Sequence, residues 1–159
     1  MREISNTDNI IDSRDVIARF EELEGERDAL QEAVDDARNY LEYAEAKGRS
    51  EDIITYKDSV NEAGDALVSW NDENEEEYEA LKALCEDGES YASDWNYGAT
   101  LIHEDYFTEY AEELCREIGD IPNDLPDYIA CNIDWDGVAQ DLKVDYTEVD
   151  FDGQTYLVR

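Results

Sequence analysis

The segment Tyr146-Thr-Glu-Val-Asp-Phe-Asp-Gly-Gln-Thr-Tyr-Leu-Val-Arg159 decides the fold class of this chain. Apolar and polar residues alternate on both sides of Asp152-Gly153, and such a two-residue connection is the strongest short signal for a β-hairpin. We therefore predict two strands, Tyr146–Phe151 and Gln154–Arg159. The turn puts three pairs in register: Phe151 with Gln154, Val149 with Tyr156, and Thr147 with Val158. We expect the face that these pairs share to meet the helices of the chain.

Two helices are predicted before this hairpin. One spans about Glu104–Ile118, where apolar and acidic residues fall largely on opposite faces. The other runs from Trp135 to about Val144, with Asp134 as its N-cap. The connection between them is a loop, because Pro122 and Pro126 cannot continue a helix.

The first half of the chain has the pattern of a long antiparallel helical hairpin. Apolar residues recur at steps of three and four, which is the seam of an amphipathic helix packed on another helix. We predict helices over Ser13–Lys47 and Ser50–Asp87, joined at Gly48 by a connection so short that they must be antiparallel neighbours. Asn71 and Asn74 fall on the second seam and predict a bend or break near Trp70–Asn74. The predicted seam residues are Val16, Phe20, Leu23, Leu30, Val34, Ala37, Leu41 and Ala44 in the first helix, and Ile53, Val60, Leu67, Tyr78, Leu81 and Cys85 in the second.

These patterns predict an α+β protein with two domains. Residues 1–90 form an acidic antiparallel helical hairpin of coiled-coil type. Residues 91–159 form a small α+β unit of two helices and the β-hairpin. The segment up to Ile11 is a polar lead, and Tyr91–Ile102 is aromatic, irregular and expected to pack where the two domains join.

Composition favours a cytoplasmic protein. Apolar residues make up 42% of the chain, enough for a core, yet no run of eighteen marks a membrane span. The N-terminus lacks the apolar region of a signal peptide. Cys85, Cys115 and Cys131 are odd in number and lack zinc-finger spacing, so we expect reduced thiols, with no disulfide and no metal.

Net charge is the most unusual property of the sequence. The chain has 45 acidic and 12 basic residues, which gives a formal net charge of −33 spread over its whole length. Double-stranded DNA carries one negative charge per about 1.7 Å of helix axis, so this charge matches roughly 56 Å of duplex. Such self-repulsion destabilises a compact state, which indicates that the protein uses its field. Halophilic adaptation and simple solubility are the alternatives.

Acidic helix faces without cations are the candidate binding surface. Exposed helices usually intersperse lysine with glutamate, but Glu73–Glu79 and Glu104–Leu114 contain no cation. Such faces cannot bind nucleic acid and suit a basic groove that otherwise holds it. The predicted partner-binding acids are Glu21, Glu22, Glu24, Asp35, Asp36, Glu73, Glu75, Glu76, Glu77, Glu79, Glu109, Glu112, Glu113, Asp134, Asp136, Asp141 and Asp145.

No catalytic, cofactor or metal site is predicted. His103 is the single histidine, and its position beside Glu104 at a helix start is typical of a capping or surface residue. The glycine motifs that bind phosphate and the Gly-x-Ser-x-Gly nucleophile motif do not occur in the sequence. Asp134, Asp136 and Asp141 lack the order of a calcium-binding EF-hand loop, so we interpret Asp134 as a cap and Asp136 as an acid favoured by the helix dipole.

Three runs resemble small acidic proteins encoded by phages and prophages: Ser13–Glu24, Thr100–Leu114 and Asn132–Arg159. The last run begins a helix with Ile-Asp-Trp, continues with an Asp-Leu pair, and closes with two short strands around a glycine turn. This pattern is also similar to the last domain of the ArdA antirestriction family. The helical hairpin departs from the three-domain layout of that family, and its central antirestriction motif has no counterpart in this chain.

The resemblance to ArdA implies an acidic, elongated DNA mimic, usually a homodimer, that occupies the DNA-binding groove of type I restriction-modification enzymes. The wider resemblance implies a phage protein in the cytoplasm of an infected bacterium, where other DNA mimics block CRISPR effectors. We therefore expect a non-enzymatic inhibitor of a basic, nucleic-acid-binding host defence protein, with no cofactor, no membrane and no direct nucleic acid contact. The alternative is a coiled-coil adaptor that binds a partner through the helical seam.

Overall fold

The computed structural model describes residues 4–122 and 124–159 and confirms an α+β fold with a long helical hairpin. The helices are α1 (Ser13–Ala46), α2 (Ser50–Tyr91), α3 (Trp95–Gly98), α4 (Phe107–Glu117), α5 (Asp127–Ala130) and α6 (Trp135–Lys143), and a 3-10 turn spans Glu104–Tyr106. The strands are β1 (Ile10–Asp12), β2 (Thr100–His103), β3 (Thr147–Phe151) and β4 (Gln154–Val158). Within the described ranges, no helix has both the length and the apolar character needed to cross a membrane.

The chain divides into two compact units, and this division differs from the predicted one between residues 90 and 91. The helical unit is Ala18–Glu79. The sheet unit joins the described residues up to Ile17 with Ala80–Arg159. Both boundaries fall inside the long helices, because strand β1 brings the segment before α1 into the sheet.

The described strands form one antiparallel sheet in the order β1-β2-β4-β3. Strand β1 pairs with β2 through Ile11 and Leu101, and β2 pairs with β4 through Ile102 and Leu157. Neither β1 nor β2 is predicted from the sequence, because they have only 3 and 4 residues, too few for alternation to show. The prediction that Tyr91–Ile102 is irregular is therefore wrong where α3 and β2 form, and the polar lead ends in strand β1.

The C-terminal β-hairpin forms as predicted. All three predicted pairs are confirmed, among them Val149 opposite Tyr156. Asp152 and Gly153 have φ values of 49° and 76°, as a type I′ turn requires at both central positions. The Gly153 N–H also donates a hydrogen bond to Asp150 Oδ1 at 3.2 Å, which ties the turn to strand β3.

Both faces of strand β4 are buried, whereas the sequence predicted one inward face. Leu157 belongs to a core cluster with Phe107 of α4 and Ala139 of α6. Tyr156 and Val158 point to the opposite face, because side chains alternate along a strand, and both are fully buried as well. The predicted inward face is therefore buried, but α4 and α6 cover the other face.

Trp95 of α3 anchors the ends of both long helices within the sheet unit. Its side chain is buried, and its carbonyl oxygen accepts a hydrogen bond from Ser13 Oγ at 2.6 Å. A Cβ atom at Gly88 would lie 2.4 Å from the Trp95 ring, so the glycine provides space for the ring. Helix α2 continues through Gly88, past its predicted end at Asp87, and stops at Tyr91.

Asp12 caps the start of α1. Its Oδ1 accepts a hydrogen bond from the Arg14 N–H at 2.9 Å, and its Oδ2 lies 2.6 Å from Arg14 Nη2. The hydrogen bond from the Arg14 side chain is the main cause that lowers the pKa of the Asp12 carboxyl. Ser13, the first residue of α1, is buried.

In the helical unit, α1 is packed along its predicted seam and ends at the predicted connection. Leu23, Val34 and Ala44 are buried, as the spacing predicts. Gly48 has a φ of 64°, the left-handed conformation that commonly ends a helix. The Arg49 N–H then donates to the Ala44 carbonyl at 3.1 Å, which satisfies one of the last carbonyl groups of α1.

Helix α2 is continuous through Trp70–Asn74, so the predicted break is wrong. The Asn74 side chain donates from Nδ2 to the Trp70 carbonyl at 3.0 Å, which keeps its amide on the helix. Trp70 is largely buried, and its Nε1 donates to Glu26 Oε2 on α1 at 3.0 Å. Contacts with α1 thus stabilise a stretch of α2 whose own apolar pattern is weak.

Candidate acidic surface

Most of the predicted partner-binding acids are exposed, as a binding surface requires. In the helical unit the exposed members are Glu21, Glu22, Glu24, Asp35, Asp36, Glu73, Glu75, Glu76 and Glu79. In the sheet unit they are Glu109, Glu113, Asp134, Asp136, Asp141 and Asp145. Glu77 and Glu112 are partly buried, and each is paired with an arginine.

Arg19 of α1 neutralises part of the acidic surface of the helical unit. Its Nε and Nη2 donate to the two carboxylate oxygens of Glu77 at 2.8 and 2.9 Å, and its Nη1 donates to Glu22 at 2.8 Å. These hydrogen bonds, first the one to Glu77, raise the pKa of the Arg19 guanidinium. The bidentate pair fixes the two helices in register, although its partial exposure limits the stability it adds.

The α2 acidic face consists of Asp72, Glu73, Glu75, Glu76 and Glu79. With Glu77, six of the eight residues from 72 to 79 are acidic. Eight helical residues span about 12 Å, so the five members of this face place one charge about every 2.4 Å, against roughly 1.7 Å for duplex DNA. In the described part of the chain, no cation forms an ion pair with any member of this face.

Aromatic side chains hold the two helices together behind this face. Tyr78 stacks on Phe20 with ring centroids 5.5 Å apart, and Trp70 meets Tyr78 edge-on at 6.1 Å. The Arg27 guanidinium lies 4.9 Å from the Tyr78 ring centroid. The roles of Arg19 and Arg27 are not predicted from the sequence. The available signal was that Arg27 occupies the one position where the apolar repeat of α1 fails.

In the sheet unit, α4 and α6 bring together acids from two distant segments. Thr108 Oγ1 on α4 donates to Asp136 Oδ1 on α6 at 3.2 Å. Asp134 is the predicted N-cap of α6, and its Oδ1 accepts from the Gly137 N–H at 3.1 Å. These contacts place the start of α6 against the first turn of α4, so their acids form a second surface.

Several acids of α4 are engaged by neighbouring side chains. Glu112 pairs with Arg116 at 2.7 Å one turn along the helix. The Tyr106 hydroxyl donates to Glu113 Oε2 at 3.0 Å, which raises the pKa of Tyr106. In α4, Glu112 is therefore ion-paired and Glu113 is hydrogen-bonded, whereas no member of the α2 acidic face has an ion pair in the described part of the chain.

His103 acts as a cap, as predicted. Its Nδ1 accepts a hydrogen bond from the Asp105 N–H at 3.2 Å, and its ring lies 5.1 Å from the Tyr156 ring centroid. The Tyr156 hydroxyl donates to the Asp8 carbonyl at 2.7 Å, and burial raises the pKa of Tyr156 to about 12. Across residues 4–122 and 124–159, no group of three or more His, Cys, Asp or Glu side chains could hold a metal ion.

A polar cavity of about 190 Å³ lies in the sheet unit. The hydroxyls of Tyr110 and Tyr146 are 3.3 Å apart at its wall, and the Arg159 guanidinium lies 5.5 Å from the Tyr146 ring centroid. Burial is the main cause that raises the pKa of Tyr146. A polar cavity of this size suits ordered water.

Comparison of the chain with protein-family models, curated proteins and solved structures found no match. The functional inference therefore depends on the two acidic surfaces. Arrays of exposed carboxylates can pair with lysine and arginine side chains of a partner.

Proposed function

We propose that this protein is a non-catalytic inhibitor that occupies the positively charged nucleic-acid-binding cleft of a bacterial defence enzyme. Its carboxylates take the place of phosphates, and the target is a type I restriction-modification enzyme or a CRISPR effector. The observation that carries the proposal is the α2 acidic face. Its five carboxylates are exposed, occur about every 2.4 Å along the helix against roughly 1.7 Å per charge in duplex DNA, and form no ion pair within the described chain.

Binding of this face to a basic cleft follows the physics of DNA binding. Single exposed ion pairs contribute only about 0–1 kcal/mol, so useful affinity needs many pairs at once. Salt screens these pairs, and binding should weaken steeply as the salt concentration rises. Inhibition is competitive, because the mimic and the nucleic acid require the same cations.

Contacts behind the face prepare it for binding. The bidentate bond between Arg19 and Glu77 and the bond between Trp70 and Glu26 join α1 to α2. A surface that is ordered before binding loses less conformational entropy when its partner arrives. The exposed carboxylates of α2 therefore lie on a helix that side-chain hydrogen bonds hold against α1.

The coiled-coil adaptor has less support. That function needs a seam that is open to a partner helix. Leu23, Val34 and Ala44 on α1 and Leu81 on α2 are instead buried within the chain.

The test is competition for labelled duplex DNA on a purified type I restriction-modification enzyme and on a guide-loaded CRISPR effector, measured by fluorescence anisotropy. The wild-type protein should displace DNA from at least one of them, and less effectively at higher salt. The combined change of Glu73, Glu75, Glu76 and Glu79 to Lys should abolish displacement, because it turns attraction into repulsion. Glu77 is kept, since its loss would release Arg19.

A matched control separates the local face from total charge. The change of Glu109, Asp141, Asp145 and Glu148 to Lys shifts the net charge equally but lies on exposed positions of the sheet unit. A larger loss for the α2 variant assigns the contact to the helical unit. The proposal is wrong if the wild-type protein displaces DNA from neither enzyme. It is also wrong if both folded variants displace DNA as well as the wild type does.

A further inference from the structure

The hairpin tip, which we define as residues 38–57, differs in charge from the rest of the helical unit. It contains four cations and four acids, so its net charge is zero: Arg38, Lys47, Arg49 and Lys57 against Glu42, Glu45, Glu51 and Asp52. The remainder of the unit, residues 18–37 and 58–79, contains 17 acids and 2 cations. A neutral surface is therefore set at the end of a strongly negative helix pair.

Exposed tyrosine and isoleucine side chains lie at this tip. Tyr40 and Tyr43 of α1 are 59% and 53% exposed, and Ile54 of α2 is 68% exposed. Tyr40 stacks on Tyr56 across the two helices with ring centroids 5.8 Å apart. The three tyrosines line a recess of about 400 Å³ together with Asn39 and Arg49. Aromatic surface of this kind is enriched in protein interfaces.

The local structure of the tip presents this surface in a defined shape. Lys47 Nζ and the Arg49 guanidinium each lie 5.7 Å from the Tyr43 ring centroid. Arg49 also pairs with Asp52 at 3.6 Å across the first turn of α2. The left-handed conformation of Gly48 reverses the chain between these contacts. Two cations of the connection are thus held beside the Tyr43 ring of α1.

We infer that the hairpin tip is an interface between two copies of this chain. A symmetric contact brings the same surface together from both partners, so it must be complementary to itself. A surface with equal numbers of cations and acids around aromatic rings meets this condition, whereas the α2 acidic face repels its own copy. A basic partner, in contrast, is drawn to the acidic faces rather than to the neutral tip.

The inferred contact is weak and strengthens with salt. A few aromatic side chains bury much less area than the roughly 800 Å² per partner of a stable interface. The acids around the tip still repel their copies at long range, and salt screens that repulsion. Association of two copies should therefore increase with salt, whereas binding to a basic cleft should decrease. The hairpin tip lies outside the C-terminal run that resembles ArdA, so this interface is independent of that resemblance.

Sedimentation velocity of the full chain over a series of concentrations tests this inference. The weight-average mass should rise towards twice the monomer value with concentration, and more so at about 1 M than at about 0.1 M salt, where the Debye lengths are about 3 and 10 Å. The exposed position of Tyr43 makes Tyr43→Glu compatible with the fold, and this change should weaken association about tenfold or more as an interface anchor is lost. Val68→Glu is the matched control, because Val68 is 57% exposed in the same unit but outside the tip, and the same negative charge is added.

Three results would overturn the inference: a monomer at every salt and concentration, a dimer that dissociates as salt rises, or equal effects of Tyr43→Glu and Val68→Glu. The far-ultraviolet circular dichroism of each variant checks that its helices are intact. Displacement of DNA from a defence enzyme is measured separately. Failure of the proposed inhibition and failure of the tip interface are therefore distinguishable.

Discussion

The sheet unit and the helical unit are held together in different ways. In the sheet unit, Trp95 and Phe107 are at most 1% exposed, and helices cover the face of the sheet that carries Leu157. In the helical unit, Trp70 and Tyr78 keep 9% and 5% exposure and contact charged side chains. Burial of apolar area is the main source of stability, so a sheet buried on both faces gains more than one helical seam. The comparison indicates that the sheet unit contributes more of the apolar burial that stabilises the fold, whereas both units present acidic residues to solvent.

Two phenylalanine substitutions compare the units directly and should give the largest effect. Phe107→Ala removes a fully buried ring from the core cluster and should lower the free energy of unfolding by about 3–5 kcal/mol. Phe20→Ala removes a partly buried ring from the helical seam and should cost about half as much. Urea unfolding followed by circular dichroism measures both. Equal losses would show that the seam is as important as the sheet core.

Two glycine substitutions in α2 should have opposite signs and form the next largest pair. Gly88→Ala would place a methyl group 2.4 Å from the rigid Trp95 ring in the sheet unit. This overpacking should destabilise the protein by about 1–3 kcal/mol. Gly64→Ala in the helical unit meets nothing within 4 Å and should stabilise the helix by about 0.5–1 kcal/mol.

Thermal unfolding of the Gly88→Ala and Gly64→Ala variants is the measurement, with the wild type as reference. A stabilised Gly88→Ala variant would mean that Trp95 moves away without cost. The assignment of Gly88 to the packing of Trp95 would then be wrong.

Added salt should stabilise the protein moderately, because its net charge of −33 is repulsive and salt screens that repulsion. We expect the melting temperature to rise by about 2–4 °C, equivalent to about 1 kcal/mol at this chain length. The combined change of Glu73, Glu75, Glu76 and Glu79 to Gln should reduce this response. Scanning calorimetry at several salt concentrations measures it. A steady fall of the melting temperature with salt would contradict the repulsion argument.

The N-cap of α1 should give the smallest effect and a distinct pH dependence. The pKa of Asp12 is lowered below 3.8 in the folded protein, so the pair with Arg14 stabilises the fold above that pH and loses its effect as the pH falls through the folded value. Asp12→Asn keeps a capping side chain but removes the charge. Urea unfolding of both proteins should therefore differ at neutral pH and converge under acid conditions. A difference that grows as the pH falls would contradict this sign.

Signals between residues adjacent in the chain determined the helical hairpin and the C-terminal β-hairpin. Gly48 and Asp152-Gly153 mark the turns, because their backbones need positive φ values that few residues adopt readily. The spacing of three and four identifies buried seam positions such as Leu23. The exposure of the acids follows from the same spacing, since residues opposite a seam face solvent. The sequence alone therefore determined both hairpins and the outward position of most acidic residues.

Only the tertiary structure decided the sheet and the partners of several key side chains. Strands β1 and β2 are too short to show a pattern, and each exists because a distant strand satisfies its backbone hydrogen bonds. Glycine commonly follows the end of a helix, but Gly88 lies inside α2 and leaves space for the ring of Trp95, which comes later in the chain. Arg19 meets Glu77 only because the register of two helices places them together. Each of these features depends on contacts between segments far apart in sequence, and local periodicity contains no information about such contacts.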